Sequence, residues 1–356
     1  MYWSLNSVRA VLSVCVVLYH LGGTIALERY FHFDFFAKIF GFGGARVPFF
    51  FVLSGFVLTL AYAKSLDQPG KVWPFLKKRF MRLYPSFWVI LLLVMLPAMF
   101  VPSLREAIPH DPWQMFKTWA LLPQHPGAGW PTGAPVIVAA WTLHYEVVSY
   151  LVLAAWIFNR AVGLMLSLLL VANAVACSQW QCGFYGDFLS AGYLLYFAYG
   201  AATAWLLRRL PPMKNAMRLA WGALAAYLVV AVVTYENPAL DWINDTDLSF
   251  TSLACVILLC LANSEDGRPR ERNSAWVKLL SDSSYVLYLL HYPVISLVCK
   301  LAMAVGLRGA VGAVITFVAA LVCCILAAVV FHLFIERRLV SLSWAPPRPA
   351  RVPESP

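Results

Sequence analysis

The run LNSVRAVLSVCVVLYHLGGTIAL, from Leu5 to Leu27, is long and apolar enough to cross a bilayer as a helix, yet it carries Arg9 near its start and His20 near its far end. At about 100° and 1.5 Å per residue, the step from Arg9 to His20 returns to within about 20° of the same helix face and climbs about 16 Å. One face of one membrane helix therefore presents a cation at one depth and an imidazole much deeper. Ionisable groups are expensive to keep in a membrane, so this pair is a candidate functional site.

The rest of the chain agrees about the solvent. Of its 356 residues 61% are hydrophobic and 12% charged, and the mean hydropathy is +0.72. This composition excludes an ordinary soluble domain and implies an all-α polytopic membrane protein. Spans are expected near 5–27, 45–63, 84–103, 136–158, 161–178, 188–207, 218–235, 248–263, 284–305 and 309–335, about ten transmembrane helices in all. The alternating ten-residue pattern of a membrane barrel is absent.

The formal charge of +10 fits the positive-inside rule better than nucleic-acid binding, because the basic residues sit beside spans and form no separate domain. Lys64, Lys71, Lys77, Lys78, Arg79 and Arg82 fall in or beside one connection, and Arg208, Arg209, Lys214 and Arg218 in another. Arg268, Arg270, Arg272 and Lys278 follow, then Arg337, Arg338, Arg348 and Arg351. With Arg9 and Arg160 these are most of the 27 Lys and Arg, and they place both termini inside. The expected organisation is one transmembrane domain over 1–340 and a short, proline-rich, disordered cytoplasmic tail over 341–356. The first run is expected to stay in place, since it has no charged leader and contains Arg9 and His20.

The other side differs in kind. Its longest connection, Ser103 to Pro135, contains His110, Asp111, Trp113, Trp119, His125, Trp130 and six prolines, while Glu236 to Asp247 is acidic. Such a surface can receive a polar or carbohydrate ligand, although aromatic residues at an interface are more commonly membrane anchors, the reading favoured here. Cys177 and Cys182 flank a short external connection and could pair in an oxidising compartment. The other six cysteines lie in apolar runs as small buried thiols, and nothing has CxxC or His–Cys metal spacing.

Four further stretches carry polar groups. Arg46 to Phe56 (RVPFFFVLSGF) includes Ser54 and Gly55, small residues that permit close helix packing. In Lys77 to Pro85 (KKRFMRLYP), which is expected to open the third span, Arg79 and Arg82 are neighbours on one helical face. Two guanidinium groups there suit a phosphate-bearing ligand, although on this motif alone a topology signal touching lipid headgroups is the favoured reading. Trp141 to Tyr150 (WTLHYEVVSY) puts Glu146 inside a span, where it needs an arginine or histidine partner; His144, two residues away, points elsewhere. Ser283 to Pro293 (SSYVLYLLHYP) brings His291 to the start of a span, where a lone histidine is ordinarily a structural hydrogen-bonder, and the last span ends at Ile335-Glu336-Arg337.

Together these stretches resemble the integral-membrane acyltransferase family 3, whose members O-acylate sugars and other acceptors at the cell envelope. The resemblance covers nearly the whole chain. The family's Arg-x10-His pattern matches Arg9 and His20, its phenylalanine-rich Leu-Ser-Gly-Phe pattern Phe49 to Phe56, and its Arg-x-x-Arg pattern Arg79 and Arg82. Its Trp-Ser-Leu-x-x-Glu pattern appears at Trp141 to Glu146 with Thr142 in place of serine, and Ser-Tyr-x-x-Tyr-Leu-x-His-x-Pro at Ser284 to Pro293. Departures are Val8-Arg9-Ala10 for Leu-Arg-Gly, Val147 for a second acid, and Glu336-Arg337-Arg338 for Glu-Lys-Pro.

The resemblance implies an acyl-CoA donor, acetyl-CoA by default, with no tightly bound cofactor. It also implies a carbohydrate or glycan acceptor, lipid contact and a place in a bacterial inner membrane. On that footing Lys78, Arg79 and Arg82 hold the donor's phosphates and Arg9 the mouth of a channel along the first helix. His20 is the general base on the acceptor hydroxyl, and Glu146 orients either His20 or Arg9. The competing class is a transporter or flippase in which Arg9, His20 and Glu146 form a relay. No inverted repeat supports it.

Overall fold

The computed structural model describes residues 2–41, 46–100, 108–126, 132–236, 246–265 and 274–342. These are helical, with no strand among the described residues. The chain enters through α1 (Trp3–Ala26), passes the short α2 (Phe35–Phe40), and continues through α3 (Arg46–Tyr62), α4 (Val72–Phe100) and the short α5 (Pro112–Trp119). Next come α6 (Trp141–Phe158), α7 (Arg160–Gln179), α8 (Gly183–Ser190) and α9 (Tyr193–Leu207). The last third holds α10 (Ala216–Glu236), α11 (Thr246–Glu265), α12 (Ala275–Asp282), α13 (Ser284–Ala304) and α14 (Gly309–Phe331). A π-helical turn, His332–Glu336, carries α14 on into α15 (Arg337–Leu342).

Among the described residues, 9 helices are long and apolar enough to cross a membrane, so the chain is a multi-pass membrane protein. The remaining expected span, 188–207, is divided: α8 ends at Ser190, Ala191 is extended, and α9 has only 15 residues. The third span also differs from expectation. The helix starts at Val72, not near 84, because Lys and Arg are good helix formers and Pro74 falls in the first turn, where no N–H is needed. The basic stretch is thus already helical, and Pro85 lies inside α4. The last span likewise runs beyond 335 to Leu342. Arg268, Arg270, Arg272, Trp130 and the tail from 343 lie outside the described residues.

Local chemistry fixes the helix ends. The Glu265 carboxylate accepts from the backbone N–H of Trp3 (2.8 Å) and Ser4 (2.9 Å), capping α1 from the end of α11. Asn159 accepts from Ala161 and Val162 and starts α7, and Asp111 accepts from Gln114 to start α5. Asn263 spans the turn before α10, accepting from the Met213 N–H and donating to the Pro211 carbonyl. These ties put Trp3, Pro211 and the end of α11 on one face of the bundle, the N-terminal face. On the opposite face the Tyr235 hydroxyl donates to the Ala37 carbonyl, joining the end of α10 to α2.

α1 is central. It packs on α2, α3, α11, α12, α13 and α14, and contributes to two separate cores. Leu5 joins the core built around Phe56, Tyr227 and Leu258, whereas Val17, Leu21 and Ile25 join the one around Phe87, Ile90 and Leu287. The closest helix pair is α3 with α9. A Cβ at Gly55 would lie 2.0 Å from the Phe197 carbonyl oxygen, and one at Gly200 would lie 2.0 Å from that of Val52. At the periphery α7 exposes Leu164, Leu168 and Val171, an apolar surface matched to lipid.

Candidate active site

Polar side chains gather at two levels along α1. Nearer the N-terminal face lies Arg9, half-buried, on which the charges of Arg82, Asp282 and Glu146 and the Tyr150 hydroxyl all act. Glu146 accepts a hydrogen bond from Tyr150, one turn further along α6. The charges of Arg79 and Arg82 of α4, which lie three residues apart on one face, also act on Tyr150. The Arg79 guanidinium donates to the Tyr62 hydroxyl at 3.3 Å and sits among the rings of Tyr62 (5.5 Å), Phe75 (5.9 Å) and Tyr150 (5.9 Å). Its Nε is buried with no hydrogen-bond partner among the described residues.

Beside Arg79 a cavity of about 270 Å³ is walled by Tyr62, Phe75, Lys71, Lys77 and Lys78, with the three lysines exposed at its rim. A second acid stands close by. Glu336, on the π-helical turn, is buried and bonded to His332 Nδ1 at 2.6 Å, and it acts on Tyr285 together with Glu146.

The second level is built on histidine. His20 lies at the other end of α1, its Nδ1 2.7 Å from the Tyr292 hydroxyl of α13. Its ring stacks on His291 with centroids 5.1 Å apart and lies tilted against Tyr292 at 4.5 Å. His291 is fully buried, and its Nδ1 meets the Tyr288 carbonyl oxygen at 2.6 Å. The Tyr288 hydroxyl in turn donates to the Ala139 carbonyl and lies 2.8 Å from Thr142 Oγ1 at the start of α6. Pro293 follows Tyr292 inside α13, and its missing N–H deprives the Leu289 carbonyl of its helical partner.

The structure therefore brings Arg9, Arg79, Arg82 and Glu146 into one electrostatic group with Lys78 at the neighbouring cavity. His20 belongs to a separate group with Tyr292 and His291. The charge of Glu146 acts on Arg9, one of the two partners open to it from the sequence.

A family model described as an acyltransferase domain matches residues 2–332, a span that holds both groups. The chain belongs to acyltransferase family 3. The acyltransferase is also similar to the exopolysaccharide production protein ExoZ of Rhizobium meliloti strain 1021, at 27% identity over 317 residues, 85% of this chain and 90% of the relative. No solved structure matches it.

Sequence reasoning missed several neighbours in the acyltransferase site. Tyr150 stands four residues after Glu146, and Glu336 four after His332, spacings that put each pair on one helix face and were open to detection. Tyr292 and Asp282 meet α1 only through tertiary packing and leave no local signal.

Proposed function

We propose that this acyltransferase moves an acyl group, acetyl by default, from cytoplasmic acyl-CoA to a hydroxyl of a cell-surface polysaccharide. The observation that carries the proposal is the division of α1 into a cationic level at Arg9 and a histidine level at His20. A donor bearing phosphates fits the first, and hydroxyl activation fits the second. Arg79, whose buried Nε awaits an acceptor, holds phosphate oxygens with Arg82, while Lys71, Lys77 and Lys78 meet those further out. Arg9 guides the pantetheine arm along α1, and Glu146 steadies Arg9.

At the far level His20 takes the proton of the acceptor hydroxyl as its oxygen attacks the thioester carbon. The C–O bond forms, the C–S bond breaks, and the proton passes from His20 to the departing thiolate, so atoms and charge balance. Base catalysis of this kind contributes roughly 10² to 10⁴-fold. The role requires a lone pair on Nε2, and hence an Nδ1–H that donates to the Tyr292 oxygen.

Two features support an orientation with both termini inside a bacterial inner membrane. Lys64, Lys71, Lys77, Arg160, Arg208 and Arg209 lie in or beside turns of the N-terminal face, and the disulfide between Cys177 and Cys182 lies on the opposite face, as expected for an oxidising compartment. The polysaccharide acceptor follows the printed name of the ExoZ relative.

The test uses purified protein in nanodiscs with labelled acetyl-CoA and alkali-deacylated polysaccharide from the producing cell. Label transfer that His20→Ala abolishes is the expected result. No CoA release above background, or equal release by the variant, overturns the proposal.

A further inference from the structure

On the face opposite Arg9 the structure holds a second cavity, of about 460 Å³, that takes no part in the steps above. We propose that it binds a neutral sugar residue of the acceptor and delivers it to His20. This inference rests on the polysaccharide reading and locates the acceptor within it.

The wall is aromatic. Tyr145 of α6 stacks on Phe188 of α8, with centroids 4.3 Å apart and planes at 19°, and Trp141 stands edge-on to Tyr145 at 6.2 Å. The C–H face of a pyranose carries the weakly positive hydrogens that complement the negative face of such rings. Polar groups are few and spaced around that wall: the exposed carboxylate of Asp187, the imidazoles of His125 and buried His144, and Gln124. A carboxylate accepts from sugar hydroxyls, and an imidazole both donates and accepts. The volume lies within the range of small-molecule sites.

Charge separates this cavity from the one beside Arg79. That one has three lysines, whereas among the described residues neither Lys nor Arg lines this one. A phosphorylated ligand fits the first and an uncharged, hydroxyl-rich one the second.

A run of packed side chains links the cavity wall to the histidine level. Trp141 in its wall precedes Thr142, whose hydroxyl lies 2.8 Å from that of Tyr288; the Tyr288 carbonyl oxygen meets His291, and His291 stacks on His20. Its outer wall is fixed as well. The Cys177–Cys182 disulfide closes the turn before α8, and Gly186 lets α8 lie against it, since a Cβ there would sit 2.5 Å from Cys182 Cβ. Asn173 donates to the Gly186 carbonyl at 2.9 Å, a further tie on the helix that carries Asp187 and Phe188. Elsewhere on this face Trp113 and Phe116 are stacked and exposed on α5, outside the cavity wall.

The experiment measures binding of neutral oligosaccharides, cut from the alkali-deacylated polysaccharide of the producing cell, to the full chain in nanodiscs by saturation-transfer NMR and calorimetry. Wild type is expected to bind, with Phe188→Ala and Asp187→Asn each weakening binding at least tenfold. Retained acetyl-CoA binding shows that a variant is folded, and the isosteric, exposed Asp187→Asn keeps the test valid if Phe188→Ala does not fold. Unchanged oligosaccharide affinity in both folded variants, or no binding to wild type, overturns the proposal. Label transfer without any effect of these variants removes this site and leaves the transferase reading standing. Loss of oligosaccharide binding in the variants without label transfer does the reverse.

Discussion

His20 Nδ1 and the Tyr292 hydroxyl lie 2.7 Å apart across the contact of α1 with α13. A phenol, which both donates and accepts, thus stands against the His20 ring and adds no charge inside the membrane.

Tyr292→Phe should keep the fold and lower kcat by about 10 to 100-fold, with the KM for acetyl-CoA unchanged, since the orienting bond goes while the His20 ring keeps its stacking. His20→Gln should lose roughly 10² to 10⁴-fold. Steady-state CoA release measures both, and a Tyr292→Phe enzyme with wild-type kcat would remove tyrosine from the mechanism.

Glu146→Gln separates two roles. If the carboxylate serves Arg9, on which its charge acts, the variant should raise the KM for acetyl-CoA and leave kcat little changed. A fall in kcat at constant KM would instead assign Glu146 to His20.

Arg79→Ala with Arg82→Ala should raise the KM for acetyl-CoA at least tenfold, and Arg79→Lys should recover only part of it, since an ammonium lacks the planar fork. Isotherms for desphospho-CoA against CoA report which phosphate is held. An unchanged KM in the double variant would sink the phosphate assignment.

Gly55→Val and Gly200→Val should each prevent the α3–α9 pair from closing, for in both cases the added Cβ meets a carbonyl oxygen at 2.0 Å. Yield and melting temperature in detergent should fall sharply, whereas Gly222→Ala, which meets nothing within 4 Å, should be silent. A well-folded Gly55→Val protein would contradict the packing described here.

Impermeant maleimide applied to whole cells after mild reduction should label Cys177 and Cys182, with the other six cysteines replaced by serine or alanine. Labelling only after membrane disruption would reverse the proposed orientation.

Much of the fold is written locally. Apolar runs of bilayer length announce helices whatever they pack against, because an unsatisfied backbone is too costly in lipid for any alternative, and Ser54-Gly55 announces close contact because small residues permit little else. The short α2, α5 and α12 went unseen, since six to eight residues are too few for an apolar run to stand out. The break at Ala191 and the early start of α4 escaped for a related reason: hydropathy reports where lipid is, not where a helix begins.

For the site, the sequence by itself determined that Arg9 and His20 share a face of one membrane helix, because both lie on a single regular backbone whose period is fixed. It also determined that Arg79 and Arg82 are neighbours and that Glu146 needs a partner in a medium without water. Only the tertiary structure decided which groups meet. That the charge of Glu146 reaches Arg9, that His20 meets Tyr292, and that Tyr145 and Phe188 wall one cavity all depend on how separate helices dock. Docking is set by shape and small residues summed over whole helix faces, a property that no single stretch of sequence contains.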